Sequence, residues 1–116
     1  MIDVRVVVDG SGALSSLTVR GHASLGSRTV SAECAAVSGI VRACAQAIDE
    51  RGDIAATGSA DAPGDLVLSI DSVAAAALAW LRGVTDVIVT GIARVARESP
   101  QEVTMAVEYE GDTHGS

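Results

Sequence analysis

Apolar and polar positions alternate with two different periods along this chain, and the switches between them lay out the elements. "IDVRVVVD" and "LSSLTVRG" flank the turn-like cluster "GSGA" and predict a β-hairpin of residues 2–9 and 14–20. After a small-residue loop over 21–31, the period lengthens. Val37, Ile40, Val41, Cys44 and Ile48 recur at helical spacing, which predicts a helix from about 32 to 51, capped by Ser31 and stopped by Gly52. "IAATGSA" and "DLVLSID", joined by "DAPG", predict a second hairpin over 54–60 and 65–70.

A long helical pattern follows over 72–98, with Ser72 after Asp71 at its start and Pro100 just past its end. Gly83 and Gly91 interrupt that pattern, and the β-branched "VTDVIVTGI" leaves a strand open as an alternative there. "EVTMAVEYE", residues 102–110, alternates Val103, Met105, Val107 and Tyr109 against polar neighbours, as a last strand does. The order is ββαββαβ, an α+β fold with a mixed or antiparallel sheet packed with two helices. Residues 1–110 form a single domain without linker or repeat, and "GDTHGS", 111–116, is expected to be a disordered tail.

Composition changes this picture in one respect. Among 116 residues the apolar share is 48%, but it is rich in Ala and Val, with no Phe, one Trp80 and one Tyr109. Small side chains fill a thin core, so close backbone packing, completed by a second subunit, is expected. Charge narrows the partners: eight Arg and no Lys against fifteen acidic residues leave a net charge of −7. Nucleic acid and anionic membrane surfaces attract the opposite sign, so neither is expected as a partner. The first residues, "MIDVRVVVDG", lack a basic region followed by an apolar run, and the uncharged run "SVAAAALAWL" is too short to span a bilayer. A cytoplasmic location follows, where thiols stay reduced.

Two cysteines and two histidines carry the candidate chemistry. Cys34 and Cys44 stand ten residues apart on one helix, about 15 Å at the helical rise, too far for a disulfide. Their spacing with His22 and His114 matches no zinc pattern, so neither metal nor cofactor is expected. Cys44 sits in the middle of the apolar face and reads as a small hydrophobe. Cys34 falls at the third position of the helix if Ser31 caps it, where unpaired N–H groups and the helix dipole favour a thiolate. It also continues the apolar face, so packing and chemistry both remain open on the residues alone. His22, beside Gly21 at a strand end, is placed to take a proton from a thiol at a helix start. His114 lies in the tail.

The chain has no Asn, and Asp9 or Asp61 would join as a third member only by coincidence of fold. "GHA", with a cysteine twelve positions after its histidine that opens "CAAVS", resembles the ribosomal-processing cysteine protease family Prp, also called YsxB-like. The element order and "GIARVARESPQEVTMAV" fit that family too.

The resemblance implies a homodimeric cysteine endopeptidase that removes a short N-terminal extension from a large-subunit ribosomal protein. It makes His22 the general base and Cys34 the nucleophile, with Gly21, Ser31 and Ser38 supporting. One departure precedes the cysteine: the family tends to carry an acidic and then two apolar residues where Ser31, Ala32 and Glu33 stand. A carboxylate beside a thiolate opposes it by like-charge repulsion unless it points into solvent. Two other readings compete. One is a non-catalytic dimeric module that binds a basic ribosomal protein, suited by the acidic composition. The other is a redox sensor at Cys34, which lacks a resolving partner because Cys44 is out of reach.

Overall fold

A computed structural model of the chain describes residues 1–21, 32–59 and 65–110. The expectations for His22, Ser31, Asp61, the "DAPG" turn and the 111–116 tail lie outside the described residues. Five strands and two helices appear in the expected order: β1 (Ile2–Val8), β2 (Leu14–Arg20), α1 (Ala32–Arg51), β3 (Ile54–Ser59), β4 (Leu66–Val73), α2 (Leu78–Glu98) and β5 (Val103–Tyr109). The sheet runs β3-β4-β2-β1-β5. Every neighbouring pair is antiparallel except β1 with β5, which is parallel, so the sheet is mixed.

Period-2 patterning sends one side of the sheet inward. Ile2, Val4, Val6 and Val8 of β1 are buried with Leu14, Leu17 and Val19 of β2, whereas Asp3, Arg5 and Arg20 face outward. Both helices cover the inward side. Val37, Val41, Cys44 and Ile48 of α1 join Leu81, Ile88 and Ile92 of α2 in one core with the strands. The result is two layers with a polar outer sheet face. Close backbone packing is realised between the helices, where a Cβ on Gly91 would lie 3.1 Å from Ile40 Cδ1.

The helix reading of 72–98 needs correction at its start. Ser72 and Val73 belong to β4, because β3 uses them as pairing partners for Ala55 and Ile54. A single 3₁₀ turn, Ala75–Ala77, then leads into α2, whose N-cap Ala77 makes no side-chain cap hydrogen bond. Gly83 and Gly91 do not break α2, and "VTDVIVTGI" is helical throughout. The stretch Ala75–Glu98 is long and apolar enough, by length and composition alone, to cross a membrane. It exceeds the uncharged run seen in the sequence because Arg82 and Asp86 sit on its exposed side. Here its Leu81–Thr85–Ile88–Ile92 stripe packs into the core.

The corner between α1 and β3 is tight. Gly52 takes a φ of +80° as the expected C′ residue. Arg51 binds the Asp53 carboxylate through two hydrogen bonds of 2.9 and 2.8 Å and lies 4.9 Å from the centre of the Trp80 ring. With only two residues between them, α1 folds straight back along β3. Its first turn therefore returns to the end of the sheet where β3 and β2 finish.

Candidate active site

Topology brings the end of β2 and the start of α1 to the same edge of the molecule, and residues 22–31 join them. Cys34 is the third residue of α1, as the spacing predicts, and is 3% exposed in the core beside Val37. It stands in the first helical turn, where backbone N–H groups have no intrahelical acceptor. Cys34 is thus at once a buried core residue and a residue of the helix start. Ser38 follows four residues on and is half-buried. Glu33 is half-buried as well, so its carboxylate is only partly withdrawn from water.

Gly21 closes β2 and is shaped by two contacts. Its φ is +76°, and a Cβ there would lie 3.1 Å from the Met1 carbonyl oxygen. Only glycine meets both conditions without strain. Its N–H donates to Asp65 Oδ1 at 3.2 Å. The residue bonded to Gly21, His22, and the cap residue Ser31 lie outside the described residues.

Asp9, one of the two carboxylates considered as a third member, is committed elsewhere. It sits in the β1–β2 turn, at the opposite end of β2 from Gly21, and its Oδ1 accepts hydrogen bonds from the N–H groups of Ser11 at 2.8 Å and Ala13 at 3.2 Å. Burial pushes its carboxyl up, but the bonds from Ser11 and Ala13 and the charge of Arg82 outweigh that and hold it below the ordinary range. Sequence reasoning missed Asp65, because its only signal, a position opposite Arg20, exists only once β2 and β4 are in register.

Cys44 behaves as the sequence predicts. It is buried, and desolvation pushes its thiol up, away from the thiolate. It borders an apolar groove of about 520 Å³ between the helices, lined by Ala43, Ala47, Trp80, Gly83, Val84 and Val87. The two cysteines form no disulfide. Among the described residues, no group of three His, Cys, Asp or Glu side chains is arranged to hold a metal ion.

The class that these features fit is that of the cysteine proteases, and comparison of the sequence bears it out. Residues 1–104 match the family described as cysteine protease Prp, and the chain belongs to that family. No curated protein matches the chain. Solved structures share its fold. SMU.848 from Streptococcus mutans is 21% identical, with a TM-score of 0.76 over 95% of this chain and 96% of that one. The ribosomal processing protease Prp from S. aureus, in complex with a substrate peptide, is 15% identical with a TM-score of 0.75, over 93% of this chain and all (100%) of that one. The same S. aureus protease with a covalently linked product peptide gives 16% identity and a TM-score of 0.74, over 95% and 100% of the two chains.

Proposed function

We propose that this cysteine protease removes the N-terminal extension of a large-subunit ribosomal protein, with Cys34 as nucleophile and His22 as general base. The observation that carries the reading is a coincidence of sequence and place. The family match spans "GHA" and "CAAVS", and the cysteine of the second motif stands in the first turn of α1. Imidazole takes the Sγ proton and the thiolate attacks the scissile carbonyl carbon. N–H groups at the start of α1 stabilise the resulting oxyanion. Imidazolium then protonates the leaving amine as the C–N bond breaks and leaves a thioester. Water attacks the thioester, giving up its proton to imidazole, and the carboxylic acid departs as the thiol re-forms. Gly21, Ser31 and Ser38 support this pair, and no metal or cofactor takes part.

The substrate class has support from two sides. The S. aureus relative of the same fold holds a substrate peptide, and a net charge of −7 suits the basic tail of a ribosomal protein. We place the protein in the cytoplasm, where the thiol stays reduced, and read it as a homodimer. The shortage of large side chains and the apolar groove between α1 and α2 support that last reading. Analytical ultracentrifugation tests it, and a monomer at working concentration would overturn it.

A peptide spanning the extension, taken from the organism's own ribosomal protein, tests the cleavage. Wild type is expected to yield one N-terminal fragment by mass spectrometry, and Cys34→Ala and His22→Ala none. Binding without cleavage by wild type would favour the binding-module reading, which family membership now weighs against.

A further inference from the structure

We infer that the outer edge of β3 is the subsite for the retained side of the substrate, which pairs with it as an added antiparallel strand. This deepens the reading of Cys34 as a protease nucleophile and rests on it. Among the described residues no strand pairs with that edge, since β3 ends the order β3-β4-β2-β1-β5. Alternate residues of β3 therefore turn N–H and C=O groups away from β4. Edge strands are ordinarily blunted by charge, proline or a cover, yet "IAATGS" holds neither charge nor proline. Residues 55–59 are all exposed, whichever face of the sheet they point to. β5, the other edge strand, is blunted by Glu108, which Arg5 clasps at 2.9 Å. It also packs on α2, whereas β3 packs on α1, the helix that carries Cys34.

Gly58 bears on the shape of the occupant. Its φ is not left-handed, and a Cβ on it would meet the Val67 carbonyl oxygen at 3.8 Å and Leu68 Cδ1 at 3.9 Å, both ordinary contacts. Neither backbone nor packing requires glycine there, although glycine weakens a strand. The gap it leaves beside Leu68 lets a large side chain of the added strand lie across it, as aromatic residues do over edge glycines. Position ties the edge to the thiol. β3 runs about 17 Å from Ile54 to Ser59, and α1 runs about 25 Å from Arg51 back to Cys34. A strand laid on β3 thus needs about three further residues to draw level with Cys34. Charge sets its direction. The end of β3 far from Cys34 is acidic, with Asp49, Glu50 and Asp71 exposed, and Arg51, the cation there, is held by Asp53. The basic, retained part of a ribosomal protein suits that end, so the peptide runs from Cys34 towards it, opposite to β3 itself. A second copy is a poorer occupant, because an edge of such small side chains offers far less than the roughly 1,200 Å² of a stable interface.

Amide hydrogen exchange tests this on the Cys34→Ala protein, with a synthetic peptide spanning the cleavage site of the organism's own ribosomal protein. With that peptide bound, alternate amides of residues 54–59 are expected to gain protection of about tenfold or more, and those of β5 none. Gly58→Val, in the otherwise wild-type protein, is expected to raise the thermal midpoint, because it places a strand-favouring side chain where there is room. The same variant is expected to raise KM for the peptide several-fold and to leave kcat near wild type. Bound peptide with no protection on β3, or with protection confined to β5 or to the groove between α1 and α2, overturns the inference and leaves the protease standing. A wild-type KM in Gly58→Val overturns it as well. Protection of β3 that is present without peptide and grows with protein concentration means that a second copy takes the edge, which also overturns it. A wild-type protein that does not cut the peptide overturns the protease reading and the inference with it.

Discussion

The backbone N–H of Leu14 donates to Thr85 Oγ1 at 2.9 Å, and the same hydroxyl donates to the Leu81 carbonyl at 2.7 Å. Thr85 is the one polar side chain buried in the described core, and it ties the first residue of β2 to the middle of α2. The register of β1 with β2 shifts between Val7 and Val8, where Val8 pairs with Leu14, so this N–H sits at an irregular point of the ladder. Thr85→Val keeps the shape and removes the acceptor. A buried N–H without a partner costs about 1–3 kcal/mol, so the urea midpoint of Thr85→Val is expected to fall accordingly. Thr85→Ser, which retains the hydroxyl, is expected to lose less.

The two thiols are expected to differ in chemistry despite sharing one helix face. Burial pushes the Cys44 thiol up and nothing at mid-helix opposes it, whereas Cys34 stands among first-turn N–H groups. Iodoacetamide in limited amount, followed by peptide mapping, is expected to label Cys34 first. Cys44→Ala is expected to leave peptide cleavage nearly intact, whereas Cys34→Ala removes it. Equal labelling of both thiols would count against a prepared nucleophile at Cys34.

Gly21→Ala is expected to impair both fold and activity. A side chain at φ +76°, 3.1 Å from the Met1 carbonyl oxygen, strains the end of β2, at a cost of about 1–3 kcal/mol. Because His22 is the next residue, loss of cleavage should exceed what the drop in folded fraction explains. Peptide turnover measured well below the thermal midpoint separates the two. Turnover in proportion to folded protein would make Gly21 structural only.

Most of the fold was legible because each element carries its own period. The alternation of β1 and the 34, 37, 41, 44, 48 face of α1 give their boundaries to within a residue. The start of α2 was not legible: Ser72 after Asp71 has the local chemistry of a cap, yet β3 claims Ser72 and Val73 for the sheet, and pairing across strands leaves no local mark. Tyr109 likewise keeps the inward alternation of β5 but is 56% exposed, because it ends a strand at the edge of the sheet. In the candidate site, the place of Cys34 in the first turn of α1 was readable from the helical spacing of residues 34, 37, 41, 44 and 48. The Asp65–Gly21 hydrogen bond was not, because it depends on a register set by residues on both strands.

Acid is expected to loosen the β1–β2 turn. The Asp9 carboxyl is held below its ordinary 3.8 in the folded chain, so its ionised form is bound more favourably folded than unfolded. That contribution is fully present above the unfolded value and disappears as pH falls through the lower folded value. Asp9→Asn keeps an acceptor for Ser11 and Ala13 but cannot titrate. Its stability is therefore expected to change less than that of wild type between neutral pH and the acid side of 3.8. Urea titrations across that range check this, and identical acid slopes in the two proteins would refute it.

Gly83 and Gly91 lie in one helix but should answer substitution differently. A Cβ on Gly83 meets nothing within 4 Å, whereas one on Gly91 would press against Ile40 Cδ1 at 3.1 Å. Alanine in a helix interior is favoured over glycine by about 0.5–1 kcal/mol. Gly83→Ala is thus expected to raise the urea midpoint by that full increment. At Gly91 the same gain is offset by displacement of Ile40, whose side chain packs against the core from α1, and the net change is expected to be zero or negative. Equal stabilisation at both positions would mean that the two helices are not held together as closely as the Gly91–Ile40 approach implies, and that the contact yields without cost.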